Sequence, residues 1–126
     1  TSLQDLHVLI VDDSSDLARV IADFLSMFEY QVTLAGDGLE ALAILETQAV
    51  DVVVSDIHMP RFDGFQLLGE VREHHPATPV ILITGFSVGE AQKMAFERGA
   101  SAFVGKPFHL KELKDVIDEV LKPRSA

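Results

Sequence analysis

Short apolar runs alternate along the chain with longer amphipathic segments. The runs are rich in Val, Ile and Leu and show little polar alternation, which is typical of parallel strands buried on both faces. They predict five strands, at residues 6–11, 31–35, 51–55, 79–83 and 101–104. The run at 31–35 alternates more than the others, so we expect it to form an edge strand.

The segment after each strand has the spacing of a helix. The clearest helix is capped by Ser14 or Ser15 and presents one apolar face, formed by Leu17, Val20, Ile21, Phe24, Leu25 and Phe28. We expect Phe65 and Phe96 to lie in or near the core as well. Further helices are predicted to begin at Asp37-Gly38, after Asp63-Gly64, and to cover about 88–98 and 110–121, with Gly99 as a left-handed stop.

Five successive strand–helix units predict a parallel sheet with right-handed crossovers and helices on both faces. The 126 residues suffice for one domain with one sizeable core. We therefore expect a single domain over 1–126, with its core at about 6–121 and with 122–126 as a tail or the start of a linker. The sequence leaves open whether the domain stands alone or is a piece of a longer protein.

Composition and charge restrict the kinds of partner that the chain can bind. Hydrophobic residues make up 48% of the chain and charged residues 24%, which is ordinary for a globular protein. No apolar run approaches the ~20 residues that a membrane span needs, so we expect no membrane contact. The net charge of −10 disfavours direct binding to nucleic acid and favours a divalent cation or a basic partner.

Chemically active side chains follow four of the five predicted strands. Asp12 and Asp13 follow the first, Asp56 the third, Thr84 the fourth and Lys106 the fifth. In open parallel sheets, ligands bind outside the carboxyl ends of the strands. We therefore expect these five side chains to converge at one edge of the sheet.

Three carboxylates at one edge repel each other. Two unit charges about 4 Å apart cost roughly 1 kcal/mol in water and about 4 kcal/mol at an effective dielectric constant of 20. Either one acid takes a proton or a cation binds, and oxygen ligands suit Mg²⁺, with Mn²⁺ as an alternative. A carboxylate beside such an ion can attack a phosphoryl group, while Lys106 and Thr84 hold its remaining oxygens.

Four sequence pieces, one at each of these strand ends, resemble the receiver domains of two-component response regulators. They are VLIVDDSS at 8–15, VVVSDIHMPRFDG at 52–64, VILITGFS at 80–87 and AFVGKPF at 102–108. The resemblance covers nearly the whole chain. It implies an α/β, doubly wound, flavodoxin-like (βα)5 fold with five parallel strands in the order 2-1-3-4-5.

The resemblance also implies roles for the acidic residues. Asp56 would be the phosphoacceptor. Asp13 and Asp56 would bind Mg²⁺ through their side chains, His58 through its backbone carbonyl and Asp12 through water.

The same resemblance implies how the phosphoryl group is sensed. Thr84 would be the switch hydroxyl, Lys106 the amine that contacts the phosphoryl group, and Phe103 the switch aromatic, with a cis peptide at Lys106–Pro107. His58 and Phe86 would lie over the phosphoryl group and limit its attack by water.

The resemblance finally implies a cytoplasmic signalling switch that catalyses only its own phosphorylation and dephosphorylation. Its partner would be a histidine kinase or a histidine phosphotransfer protein. A homodimer through helix four, strand five and helix five is a further expectation. Two other functions fit less well: a haloacid-dehalogenase-like phosphatase requires an acid where His58 stands, and a flavin- or nucleotide-binding module requires a Gly- or Ser/Thr-rich phosphate loop where Asp12 and Asp13 stand.

Overall fold

The computed structural model describes residues 6–59, 62–85 and 88–122. None of the helices in these ranges has the length and apolar character that crossing a membrane requires. Strands and helices alternate in the order β1 (His7–Val11), α1 (Ser15–Ser26), β2 (Gln31–Ala35), α2 (Gly38–Thr47), β3 (Val52–Asp56), α3 (Gly64–His74), β4 (Val80–Thr84), α4 (Val88–Glu97), β5 (Ala102–Gly105) and α5 (Leu110–Leu121).

The five strands form one parallel sheet in the order β2-β1-β3-β4-β5. This confirms the predicted fold class and the position of β2 at an edge. Four strands begin one residue later than predicted. β3 and β4 also end one residue later, so Asp56 and Thr84 are the last residues of their strands and do not follow them. All residues of β1, β3 and β4 are buried, as expected for strands covered on both faces.

Alternate strand residues enter two separate cores. Leu9 and Val11 face the core that is covered by α2, α3 and α4, whose fully buried side chains include Leu67 and Leu68. Val8 and Ile10 face the core that is covered by α1 and α5. Because each strand contributes to both cores, the central strands cannot slide without exposing apolar surface.

Polar caps define the helix ends that set the loops at the carboxyl edge. The side chains of Ser14, Asp37 and Asp63 each accept a hydrogen bond from a backbone N–H in the first turn of the helix that follows. Gln66 completes a capping box with Asp63. At the end of α4, Gly99 has a φ of 98°, which confirms the predicted left-handed stop.

The predicted apolar face of α1 is too wide. Val20 is 50% exposed and Phe28 is 45% exposed, whereas Ala18, Ile21 and Leu25 are buried. A helix that packs on a sheet and one neighbouring helix buries a narrower stripe than the six predicted positions cover. The rings of Phe28 and Phe24 instead form a T-shaped contact, with their centroids 5.1 Å apart.

Phe96 also lies outside the core, contrary to prediction. Phe96 lies on α4 and is 47% exposed, whereas the preceding residue, Ala95, is fully buried. Phe65 is half-buried and packs against the core beneath α3, as expected.

His7 joins three segments at the amino end of the sheet and is only 5% exposed. Its Nδ1 lies 2.8 Å from the carbonyl oxygen of Ala49, and its Nε2 lies 2.6 Å from the hydroxyl of Thr33. A carbonyl can only accept a hydrogen bond, so Nδ1 carries a proton, and in the neutral imidazole Nε2 then accepts from the hydroxyl. The backbone N–H of His7 donates to the carboxylate of Asp51 at 2.7 Å.

We expect His7→Leu to lower the free energy of unfolding by about 1–3 kcal/mol, because the Ala49 carbonyl loses its imidazole donor. Urea denaturation followed by circular dichroism measures the change. His109→Leu is the matched control, since His109 is exposed and makes no side-chain capping bond. Equal stabilities of the two variants would contradict the prediction.

Candidate functional site

Three carboxylates lie together at the carboxyl edge of the sheet. Asp12 and Asp13 follow β1, and Asp56 ends β3, which pairs directly with β1. One oxygen from each acid lies within 4.8 Å of the others. Asp12 and Asp56 are 4% and 6% exposed, whereas Asp13 is open to solvent. The expected convergence of the acids is therefore confirmed.

Asp12 is held in an unfavourable electrostatic environment. Burial is the largest effect and raises the pKa of its carboxyl, and repulsion from Asp56 raises it further. A hydrogen bond of 2.8 Å from the Ser14 N–H acts in the opposite direction. The charged form of Asp12 is thus disfavoured, which is the situation that a bound cation would relieve.

Asp56 contacts groups from two other parts of the chain. One oxygen accepts the N–H of His58 at 3.2 Å, and the other accepts from the ammonium of Lys106, also at 3.2 Å. The backbone N–H of Lys106 donates to the carbonyl of Thr84 at 2.7 Å. Lys106 therefore joins the ends of β3, β4 and β5, and its bond to Pro107 is cis, as predicted.

Two further predicted residues lie close to this edge. Thr84 is fully buried at the end of β4, next to Gly105 of β5. Phe103 lies deeper in β5, half-buried against the core on the side of α2, α3 and α4. The side chain of His58 is exposed, and Phe86 lies outside the described residues.

Sequence reasoning missed a close backbone contact beneath Asp56. Gly64 begins α3, and its N–H donates to the carbonyl of Ile57 at 2.9 Å. A Cβ added to Gly64 would lie 2.6 Å from the carbonyl oxygen of Asp56. The sequence contained one signal for this contact, the glycine directly after the capping Asp63. The first position of a helix does not require glycine for its backbone conformation, so a glycine there indicates that another part of the chain lies close by.

The acidic cluster has the donor chemistry of a magnesium site. All of its side-chain donors are carboxylate oxygens, which Mg²⁺ prefers to nitrogen or sulfur. A cation would also offset the repulsion that raises the pKa of Asp12. The cluster is typical of the magnesium site of receiver domains.

Known proteins match this chain over most of its length. The family model described as "Response regulator receiver domain" matches residues 8–118. The solved receiver domain of NtrX from Brucella abortus has a TM-score of 0.87 and 34% sequence identity, and the match covers 93% of this chain and 99% of that one.

Longer relatives share the same region. The sensor histidine kinase RcsC of Salmonella typhi is 34% identical over 116 residues, which are 92% of this chain but 12% of RcsC. The regulatory protein AtoC of Escherichia coli strain K12 is 36% identical over 119 residues, which are 94% of this chain and 26% of AtoC. The chain thus spans a small part of each relative. With the fold, the acidic cluster and these matches in agreement, the chain belongs to the response regulator receiver domains of two-component signalling.

Proposed function

We propose that this chain is a phosphoacceptor switch, in which Asp56 accepts a phosphoryl group from a phosphohistidine of a histidine kinase or a histidine phosphotransfer protein. The observation that carries the proposal is the contact of Asp56 with Lys106 inside a cluster of three acids. A carboxylate oxygen of Asp56 attacks phosphorus, and the bond between phosphorus and the donor imidazole breaks. The chain acts on no diffusing substrate other than small phosphodonors.

Mg²⁺ is the proposed cofactor, and when bound it supplies positive charge beside the transferring phosphoryl group. Asp13 and Asp56 would hold it through their carboxylates, His58 through its backbone carbonyl and Asp12 through water. Lys106 adds a second positive charge, because its ammonium contacts a carboxylate oxygen of Asp56. Phosphoryl transfer depends mainly on such positioning and charge stabilisation.

The signal leaves the site through Lys106, Thr84 and Phe103. The phosphoryl group draws the Lys106 ammonium and the Thr84 hydroxyl towards it, and Phe103 turns into the space that Thr84 vacates. A shift from 1:99 to 99:1 between two states needs about 5.5 kcal/mol. Several charge-assisted hydrogen bonds of about 1.5–3 kcal/mol each can supply this amount.

The proposed output surface is the face formed by α4, β5 and α5, which we also propose as the interface of a homodimer. The chain then acts as a single receiver domain over 1–126, with its core at about 6–121. Its cognate kinase and its output depend on the whole protein in which it works.

Incubation with acetyl phosphate and Mg²⁺ tests the phosphoacceptor. We expect one acid-stable, base-labile phosphate per chain, measured by intact-protein mass spectrometry. Asp56→Asn should abolish uptake, because the amide cannot form the acyl phosphate. Asp23→Asn, which neutralises an exposed acid on α1, should leave uptake unchanged. Uptake that persists in Asp56→Asn would overturn the assignment.

The side chains of His58 and Phe86 are proposed to restrict water near the phosphoryl group. The double variant His58→Gly with Phe86→Gly should dephosphorylate faster than the unmodified chain, because two bulky side chains are removed. Loss of phosphate is followed by mass spectrometry after the phosphodonor is removed. An unchanged rate would show that these side chains do not control the lifetime of the phosphoryl group.

Asp12→Asn should raise the stability of the metal-free chain and reduce the stabilisation that Mg²⁺ provides. The folded state binds the Asp12 proton more tightly than the unfolded state does, so stability falls as pH rises from the ordinary value of 3.8 through the raised pKa. At neutral pH without metal, the neutral amide should therefore raise the free energy of unfolding. The amide oxygen of the substituted side chain can still accept the hydrogen bond from the Ser14 N–H.

With Mg²⁺ at 100 times its Kd, the unmodified chain should gain about 2.7 kcal/mol. At the same concentration Asp12→Asn should gain about half of that or less, since loss of a ligand's outer partner costs about 10–100-fold in metal affinity. Urea denaturation with and without Mg²⁺ measures both effects, with Asp23→Asn as control. An equal gain in both proteins would contradict the role of Asp12.

A further inference from the structure

The first residue of α3 lies directly against the backbone that carries Asp56. A Cβ on Gly64 would lie 2.6 Å from the Asp56 carbonyl oxygen and 2.7 Å from the Cα of Ile57. Both atoms belong to the main chain, so neither can rotate away as a side chain would. Any larger residue at position 64 must therefore move α3 or the backbone at 56–58.

Both sides of this contact are firmly anchored. On the strand side, the N–H of Ile57 donates to the carbonyl of Ile83 at 2.9 Å, and Ile57 is 3% exposed. On the helix side, Leu67, Leu68 and Val71 are fully buried, so α3 cannot shift without disturbing the core. The strain of an added methyl group would therefore fall largely on the backbone next to the anchored residues, at His58 on the strand side and at Phe62 and Asp63 on the helix side.

A second glycine lies against Phe62, two residues before α3 begins. Gly38 begins α2, and a Cβ there would lie 2.2 Å from the Cδ1 atom of Phe62 and 3.0 Å from the carbonyl oxygen of Phe62. Phe62 is half-buried and packs against the core. Gly64 thus lies against the backbone of Asp56 and Ile57, and Gly38 lies against Phe62.

We propose that Gly38, Phe62 and Gly64 are positioning residues for the cation-binding side of the site. They constrain the backbone at Asp56 and Ile57 and at Phe62, and with it the neighbouring His58 N–H, which donates to the Asp56 carboxylate at 3.2 Å. This inference rests on the proposed function and adds to it: the affinity for Mg²⁺ depends on the absence of side chains at two positions that do not touch the ion.

Gly64→Ala is the direct test, and Gly69→Ala is its matched control. Gly69 lies in the same helix and has open space where its Cβ would be. Calorimetric titration should show Mg²⁺ binding about 10-fold weaker or worse in Gly64→Ala and unchanged in Gly69→Ala. Without metal, the amide resonances of Ile57 and His58 should move in Gly64→Ala only. Unchanged Mg²⁺ affinity together with unmoved resonances would overturn the proposal.

Ile117→Val separates positioning from loss of stability. Ile117 is buried in α5 in the other core, so its truncation weakens the fold away from the site. This variant should keep the Mg²⁺ affinity of the unmodified chain. If its affinity falls as far as that of Gly64→Ala at equal stability, Gly64 has no positioning role.

A double-mutant cycle decides the matter if Gly64→Ala does not fold. Gly38→Ala should weaken Mg²⁺ binding when Phe62 is present and add little once Phe62→Ala has removed the ring, because the clash is then largely gone. Additive effects would overturn the proposal. Failure of the unmodified chain to take up phosphate would instead overturn the proposed function, since the metal titration and the amide resonances are independent of it.

Discussion

Mutual repulsion among Asp12, Asp13 and Asp56 is the constraint around which this domain is built. Their oxygens lie within 4.8 Å of one another, and two of the three side chains are almost completely buried. At an effective dielectric constant of 20, two unit charges about 4 Å apart repel by about 4 kcal/mol, which is large against a total stability of about 5–15 kcal/mol for a domain. The fully buried strands β1 and β3 hold these acids close together. The packing of the sheet thus stabilises an arrangement that the repulsion between the carboxylates disfavours.

The two ends of the sheet are therefore built differently. At the amino end, His7 satisfies neighbouring polar groups and links β1 to β2 and to the segment before β3. At the carboxyl end, Lys106 contacts one Asp56 oxygen, and Asp12 and Asp13 lie close to the same carboxylate. Stability gained at the amino end and in the two cores offsets the unfavourable charges at the carboxyl end.

Sequence patterns predicted the fold and the cluster because both follow from local rules. Apolar runs located the strands to within one residue, and the parallel arrangement then placed Asp12, Asp56 and Thr84 at a common edge. The exposure of Val20 and Phe28 was not predictable from periodicity, because helical spacing does not show how wide a stripe the neighbours cover. The roles of Thr84, Phe103 and Phe86 remain predictions, since they concern a change of state.

The contact at Gly64 was missed for a related reason. A glycine after a capping aspartate resembles an ordinary helix start, and only the path of another strand shows that its missing side chain matters. Its N–H donates to Ile57, and its missing Cβ leaves room for the carbonyl of Asp56, so the residue proposed to receive the phosphoryl group is located by the packing of α3 as well as by β3. A site made of like charges needs such rigid support, because its acids would move apart wherever the backbone allowed. The close approach of α3 thus has the same effect as the buried strands: both limit how far the three acids can move apart.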